Sequence, residues 1–566
     1  MNIGMKNIYS KIQTLFLFLM CMGIFSSCED IFDDLSKNPN QQDVNGFYST
    51  PENINKGVIG IYGYISTPRN LGASGIVTMI SRGDETSSVS DYGVPGEYSV
   101  RFTPSFYTVV EPFQLMYTAA AQACQMVEII PSVDFSDEQR KNAYLGEAYF
   151  LRAFAHFYLF LNYRNIPLIK QLPKSPNEYK PQATPQESWD FIISDLINAK
   201  QLLPKAGYWE SKYKGRVTSG SAAALLGMAY LYRSGIERNY GGSTETYYNE
   251  AAEVLGEIIN KKHGEYKLVD DYSWNFDVAH ENNEESLFEI QFLGDIVNTD
   301  FNPGLASSGL FNDFRGLMPP IPAGGSANSS GPQVAHDWLY NNFVASVDAN
   351  GNTDPRMFGT LVFDDKAAEI SPRNGYEVIL LNDKNWEETY GEKGLGAVND
   401  QAGKYKCANR KWLDWTLPEK DPGNKNYFFY QRAQGVNWRF IRYSDVLLMY
   451  AEAVVSGGKQ AGITPLEAIN IVRDRVKMPH VSVADMNTIE NERILELSCE
   501  GHRFYDLLRW GRLENRFTEL TQSDPNFKQF NRSDYVGFKA NKNEWLPIPI
   551  DEIEANPYIK ENNPGW

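Results

Sequence analysis

Positive charge is what this sequence of 566 residues has too little of: 53 Lys and Arg stand against 71 Asp and Glu, a formal net charge of -18. A phosphate backbone selects the opposite balance, so nucleic acid is excluded as the expected partner. Histidine is scarce, with six in the chain. No H-E-x-x-H, G-x-S-x-G or phosphate-loop motif is present, so the sequence offers no catalytic constellation, metal set or cofactor cradle. Cysteine is scarce too. Beyond Cys28 only Cys124, Cys407 and Cys499 remain, odd in number, widely separated and without C-x-x-C spacing. Neither a disulfide framework nor a zinc site is expected, and buried free thiols are. A long apolar run is also missing, since residues 15–25 supply about half of the roughly 20 apolar positions that a membrane-spanning helix needs.

What that short run does fit is a leader. Lys6 and Lys11 precede it, and Ser26 and Ser27 follow it directly before Cys28, the order of a secretion signal. Phe25-Ser26-Ser27-Cys28 resembles the lipobox of bacterial lipoproteins, departing from it at Phe25, where leucine is commoner. The resemblance implies cleavage before Cys28 and acylation of its thiol, which becomes the membrane anchor. Bulky Met20 makes Cys21 the poorer candidate, and an ordinary signal peptide with an incidental cysteine is the alternative. Glu29, Asp30, Asp33 and Asp34 resemble the tag that sends such lipoproteins to the outer leaflet. The expected division is a signal peptide over residues 1–27 and one domain over residues 28–566.

Apolar periodicity and breakers predict a mainly α-helical domain. Two helices are expected within residues 111–162, turning at Pro131. Others are expected over 185–203, 219–233, 246–259, 442–456 and 464–476, with one long helix over 489–512. Leu145-Gly146-Glu147-Ala148-Tyr149, Leu226-Gly227-Met228-Ala229-Tyr230 and Leu448-Met449-Tyr450-Ala451 each place a small residue near an aromatic at helical spacing. The last two lead into second helices and resemble degenerate tetratricopeptide repeats. Small residues let such helices approach closely, and stacked hairpins bury faces that one hairpin cannot.

Between the helices lie long stretches rich in Gly, Pro, Asn and Ser, around residues 57–108 and 295–437. Loops of that length are uncommon unless they carry function, so they are read as a loop-rich face on a helical scaffold, with a short strand expected at 377–381. Aromatic platforms suit sugars, whose apolar C–H patches stack on rings while their hydroxyls need polar partners. The first stretch offers Arg82, Asp84, Tyr92 and Tyr98, and the second Phe314, Arg315, Trp386, Trp412 and Trp415. These nine are the candidate ligand-binding residues. Trp438 directly precedes a predicted helix and reads as core.

The run Glu492-Arg493-Ile494-Leu495-Glu496-Leu497-Ser498-Cys499-Glu500-Gly501-His502-Arg503-Phe504-Tyr505-Asp506-Leu507-Leu508-Arg509-Trp510 closely resembles a signature of the SusD/RagB family. So do the segments 442–453, 149–168 and 286–291 and the closing Trp545-Leu546-Pro547-Ile548-Pro549, in the right order across nearly the whole mature chain. The resemblance implies a tetratricopeptide-containing surface lipoprotein. It implies a SusC-like TonB-dependent barrel as partner, over which the protein acts as a lid. It also implies a glycan ligand, most aptly an oligosaccharide, with peptide as the alternative, and a non-enzyme. Acidic loops such as Asp364-Asp365 and Glu387-Glu388 would suit a basic peptide. Glycoside hydrolysis is the minor alternative, because with 71 acids an accidental carboxylate pair can occur.

Glu492, Glu496, Glu500, Arg503, Asp506 and Arg509 recur every three or four residues, the spacing of an ion-paired helix face more than of an acid/base site. His156, set among aromatics, reads as a satisfied core histidine. The segment 421–426 hints at calcium but lacks alternating oxygen ligands and reads as a polar turn.

Overall fold

The computed structural model describes residues 44–67, 70–71, 79, 82–88, 103–173, 175, 178–292, 333–363, 407–412, 436–523 and 537–566. Helix dominates them, as expected. The principal helices are α1 (Pro51–Ile65), α2 (Tyr107–Ile129), α3 (Glu138–Tyr163), α4 (Pro185–Leu202), α5 (Ser219–Tyr240), α6 (Tyr248–Ile259), α7 (Asp337–Ala345), α8 (Tyr443–Val455), α9 (Pro465–Arg475), α10 (Met486–Leu497), α11 (Arg503–Arg509) and α12 (Leu513–Ser523).

Local sequence explains where they start. Thr184-Pro185-Gln186-Glu187 and Thr464-Pro465-Leu466-Glu467 share one grammar: the threonine hydroxyl accepts from the third helical N–H, the glutamate reaches back to the threonine N–H, and proline fills the first turn. Each box satisfies donors that a helix start leaves free. Asp137 caps α3 by accepting from the Arg140 N–H at 3.0 Å. From Ala143 to Tyr163 nearly every side chain of α3 is buried, as befits a helix apolar all round.

Neighbours in sequence pack as neighbours in space, α2 on α3, α3 on α4, α4 on α5 and α5 on α6; α6 then receives α8, which carries α9 and α10. Two glycines of the repeated segments show why small residues recur. A Cβ on Gly146 would stand 2.8 Å from Leu203, and one on Gly227 would stand 2.5 Å from Leu255, so the hairpins close only because those side chains are absent. A shared hydrophobic core runs through these helices.

Two short antiparallel sheets flank it. Strands β1 (Thr86–Ser88), β3 (Gln333–Ala335), β4 (Leu361–Phe363) and β5 (Cys407–Asn409) form one in the order β1-β3-β5-β4, while β2 (Ser286–Ile290) pairs with β6 (Trp438–Arg442). The four-stranded sheet draws its strands from the two long stretches expected to be irregular. A second, smaller core of Leu339, Phe343, Met357, Leu361, Cys407 and Ile494 ties that sheet and α7 to α10.

Two expectations change. The first irregular stretch, expected from residue 57, begins later, because α1 continues to Ile65 on the apolar spacing Ile54, Val58, Ile61, Ile65, capped by Thr50. The helix expected over 489–512 is two helices, interrupted where Cys499 and Gly501 take φ values of 62° and 91°. Gly501 reaches that region at little cost, which ends the helical run. The strand expected at 377–381 and the turn at 421–426 lie outside the described residues.

Candidate ligand-binding site

The break between α10 and α11 sorts the charges of the signature run into buried ion pairs. Arg442, at the end of β6, reaches Glu285 at 2.7 Å, Glu496 at 2.6 Å and Glu500 at 2.8 Å. Arg356 binds Asp354 at 2.7 Å and Glu492 at 2.6 Å, and Lys411 reaches Glu500 at 2.7 Å. On α11, Asp506 lies between Arg493 at 2.7 Å and Arg509 at 2.8 Å. Burial pushes the Asp506 carboxyl up, but the two guanidiniums outweigh it and hold it down to about 2. Glu500 is held down to about 2 in the same way, by Arg442 and Lys411 against its burial. Carboxylates so committed join helix to loop, and Asp506 and Glu500 are held ionised at neutral pH. His156 is spent as well: Nδ1 lies 2.8 Å from the Arg152 carbonyl and Nε2 accepts from the Ile169 N–H at 3.0 Å. Among the described residues no group of three or more His, Cys, Asp or Glu is arranged to hold a metal ion.

Three candidate ligand-binding residues fall within the described regions, and all three are buried inward instead of facing a ligand. Arg82 donates to Asn162 Oδ1 at 3.1 Å and to the Asn543 and Glu544 carbonyls at 3.1 and 2.9 Å, with its guanidinium 3.8 Å from the centre of the Phe504 ring. Trp412 donates Nε1–H to the Cys499 carbonyl at 2.8 Å and packs edge-on against Trp438. Asp84 accepts from Arg503 Nε at 2.9 Å and Arg516 Nε at 2.6 Å. Burial raises the Asp84 carboxyl, yet these guanidiniums leave it below its ordinary range. The correction has one physical reason: where an irregular stretch returns to the scaffold, its polar backbone must be tied down, and Arg82, Asp84 and Trp412 are the ties. Tyr92, Tyr98, Phe314, Arg315, Trp386 and Trp415 lie outside the described residues.

Asp84 nevertheless marks a place. Its carbonyl accepts the Trp338 Nε1–H at 2.6 Å, and the residues it holds, Trp338, Arg503 and Arg516, line an open cavity of about 490 Å³. The Trp338 ring lies under the Arg516 guanidinium, 4.4 Å from the ring centre. Arg503 also reaches Glu490 at 3.0 Å, Glu490 pairs with Arg512, and Arg516 reaches Glu519 at 3.2 Å. Ile494 and Leu507 give the wall its apolar part, and the amides of Asn342, Asn491 and Asn515 complete it. The cavity sits where β1 and β3 bring the two long stretches onto the C-terminal helices. Sequence reasoning passed over Trp338, which lies on a helix inside the second long stretch, at Asp337–Ala345; for the three asparagines, on three separate helices, the sequence carried no signal.

A sequence profile described as the SusD family matches residues 284–566, and one described as starch-binding, associating with outer membrane, matches residues 33–231. The SusD-like protein P2 of Formosa agariphila is 23% identical over 555 residues, covering 92% of this chain and 94% of its own. Among solved structures, a SusD superfamily protein from Bacteroides vulgatus is 24% identical with a TM-score of 0.67, covering 92% of this chain and 100% of its own. Surface glycan-binding protein A from Bacteroides thetaiotaomicron, in complex with laminarihexaose, is 19% identical with a TM-score of 0.65, covering 91% of this chain and 99% of its own. At these identities the structural likeness speaks for the fold.

Proposed function

The chain belongs to the SusD family, and from that premise we propose that it is a cell-surface lipoprotein that captures an oligosaccharide and passes it unaltered to a SusC-like TonB-dependent barrel. The observation that carries the reading is the match of both family profiles along one continuous helical scaffold, beside a relative of the same fold solved with laminarihexaose. The acidic chain and the ion-paired state of its signature carboxylates agree with a binder that spends its charges on architecture.

In this reading Cys28 is the acylated anchor and residues 1–27 are removed. Ligand is held on the loop-rich face, with Tyr92, Tyr98, Phe314, Arg315, Trp386 and Trp415 as candidate contacts, since rings that stack on sugar add affinity to the modest net gain of hydroxyl hydrogen bonds, which largely exchange with water. Arg82, Asp84 and Trp412 serve that face by anchoring the chain beneath it. A glycan array run beside a peptide library tests the reading. Oligosaccharide binding supports it, and binding confined to peptides contradicts it.

A further inference from the structure

We propose that the cavity among α7, α10, α11 and α12 is a saccharide subsite in its own right, built on the scaffold and recognising a short neutral sugar mainly by hydrogen bonds. The inference rests on the oligosaccharide reading and adds a place, a ligand charge and a mode of recognition to it. The volume, about 490 Å³, falls within the roughly 300–1,000 Å³ usual for small-ligand sites.

Charge selects the ligand class. Three guanidiniums, Arg503, Arg512 and Arg516, face three carboxylates, Asp84, Glu490 and Glu519, and each guanidinium already has a carboxylate partner. Three positive and three negative side chains balance, so the lining holds no excess charge of either sign to favour an ion, and a neutral polyhydroxylated molecule matches it. Asn342 is half-buried while Asn491 and Asn515 are exposed, and the three amides carry no side-chain hydrogen bond among the described residues. Each offers donors and an acceptor, and a sugar hydroxyl, which donates and accepts, matches that offer. Ile494 and Leu507 meet its C–H surface.

The mode follows from Trp338. Its Nε1–H is fixed by the Asp84 carbonyl, and the Arg516 and Arg503 guanidiniums stand 4.4 and 5.6 Å from its ring centre. Cation–π contact therefore occupies the ring, and affinity here depends on the amides. This distinguishes the subsite from the aromatic platforms proposed for the loops.

Calorimetry of the mature chain with a panel of neutral oligosaccharides that includes laminarihexaose, and with uronate-bearing counterparts, tests the inference against Asn342→Ala, Asn491→Ala and Asn515→Ala, singly and combined. Losing one amide hydrogen bond is expected to weaken binding about two- to tenfold, and losing all three more than tenfold, with the melting temperature held. Hydrogen exchange on the unaltered protein provides a second readout, with slowed exchange in α10 and α12 expected on adding the bound neutral sugar. If the unaltered protein binds sugar while the triple variant binds it equally and α10 and α12 exchange unchanged, the subsite is overturned and the loop-face reading stands. Tighter binding of the uronate series overturns the neutral class. If no sugar on the panel binds, the oligosaccharide reading itself fails, and the subsite with it.

Discussion

Glu85 shows how a single residue couples loop to scaffold. It follows Asp84 on the segment entering β1, is buried, and accepts the Cys499 N–H at 3.0 Å in the break between α10 and α11. Burial first and the neighbouring Asp84 charge second push its carboxyl up to about 8. A carboxyl so raised contributes stability that is complete below its unfolded value near 4.5 and is lost as pH rises through about 8. Glu85→Gln keeps the acceptor and cannot ionise. Thermal unfolding between pH 5 and 9 should therefore lose more stability with rising pH in the wild type than in Glu85→Gln; parallel curves would contradict the assignment. Trp412 makes the complementary point, since composition placed it on a ligand-binding loop while its indole is bound to the Cys499 carbonyl in the core. Trp412→Ala should cost stability by about 3–5 kcal/mol, as for a buried aromatic, measured by denaturant unfolding. Burial of a loop residue depends on what the loop returns to, and no local pattern encodes that.

At the scale of elements, the helices were legible and the joints were not. Thr-Pro-x-Glu caps, apolar spacing and the small residues at 146 and 227 place α3 to α6, α8 and α9 almost as the sequence indicates. The single helix expected over 489–512 failed because apolar periodicity continues across Cys499 and Gly501, while the positive φ of both interrupts the backbone. That interruption frees α11 to turn Asp506 between Arg493 and Arg509. Removing one partner from a buried pair leaves charge without compensation. Asp506→Asn should accordingly destabilise the fold by about 3–5 kcal/mol, and a loss under about 1 kcal/mol would contradict the joint's role. With Asp506 and Glu500 held down to about 2, their stabilising contribution is present above about pH 4 and lost as pH falls toward 2. Asp506→Asn should flatten part of that acid limb.

For the whole molecule, the scaffold and the family were readable from separated motifs, whereas the ligand contacts on the loop-rich face stand as a proposal. The aromatics at 92, 98, 314, 386 and 415 lie outside the described residues, and the cavity beside Trp338 arises from helices brought together by a sheet that the sequence scatters over some 320 residues, from Thr86 to Asn409. Anchoring belongs to this scale: Cys28→Ala should release the protein from membranes on fractionation, and unchanged membrane association would contradict acylation there. The central claim is capture of an oligosaccharide without chemistry, and calorimetry of the purified mature chain with its cognate oligosaccharide, followed by chromatography of the recovered sugar, tests it most directly. Saturable binding with the sugar recovered intact is the predicted result, weakened by about 1–3 kcal/mol when at least one of Tyr92, Tyr98, Phe314, Trp386 or Trp415 becomes Ala. Shortened sugar after incubation, or binding of peptides alone, would contradict it.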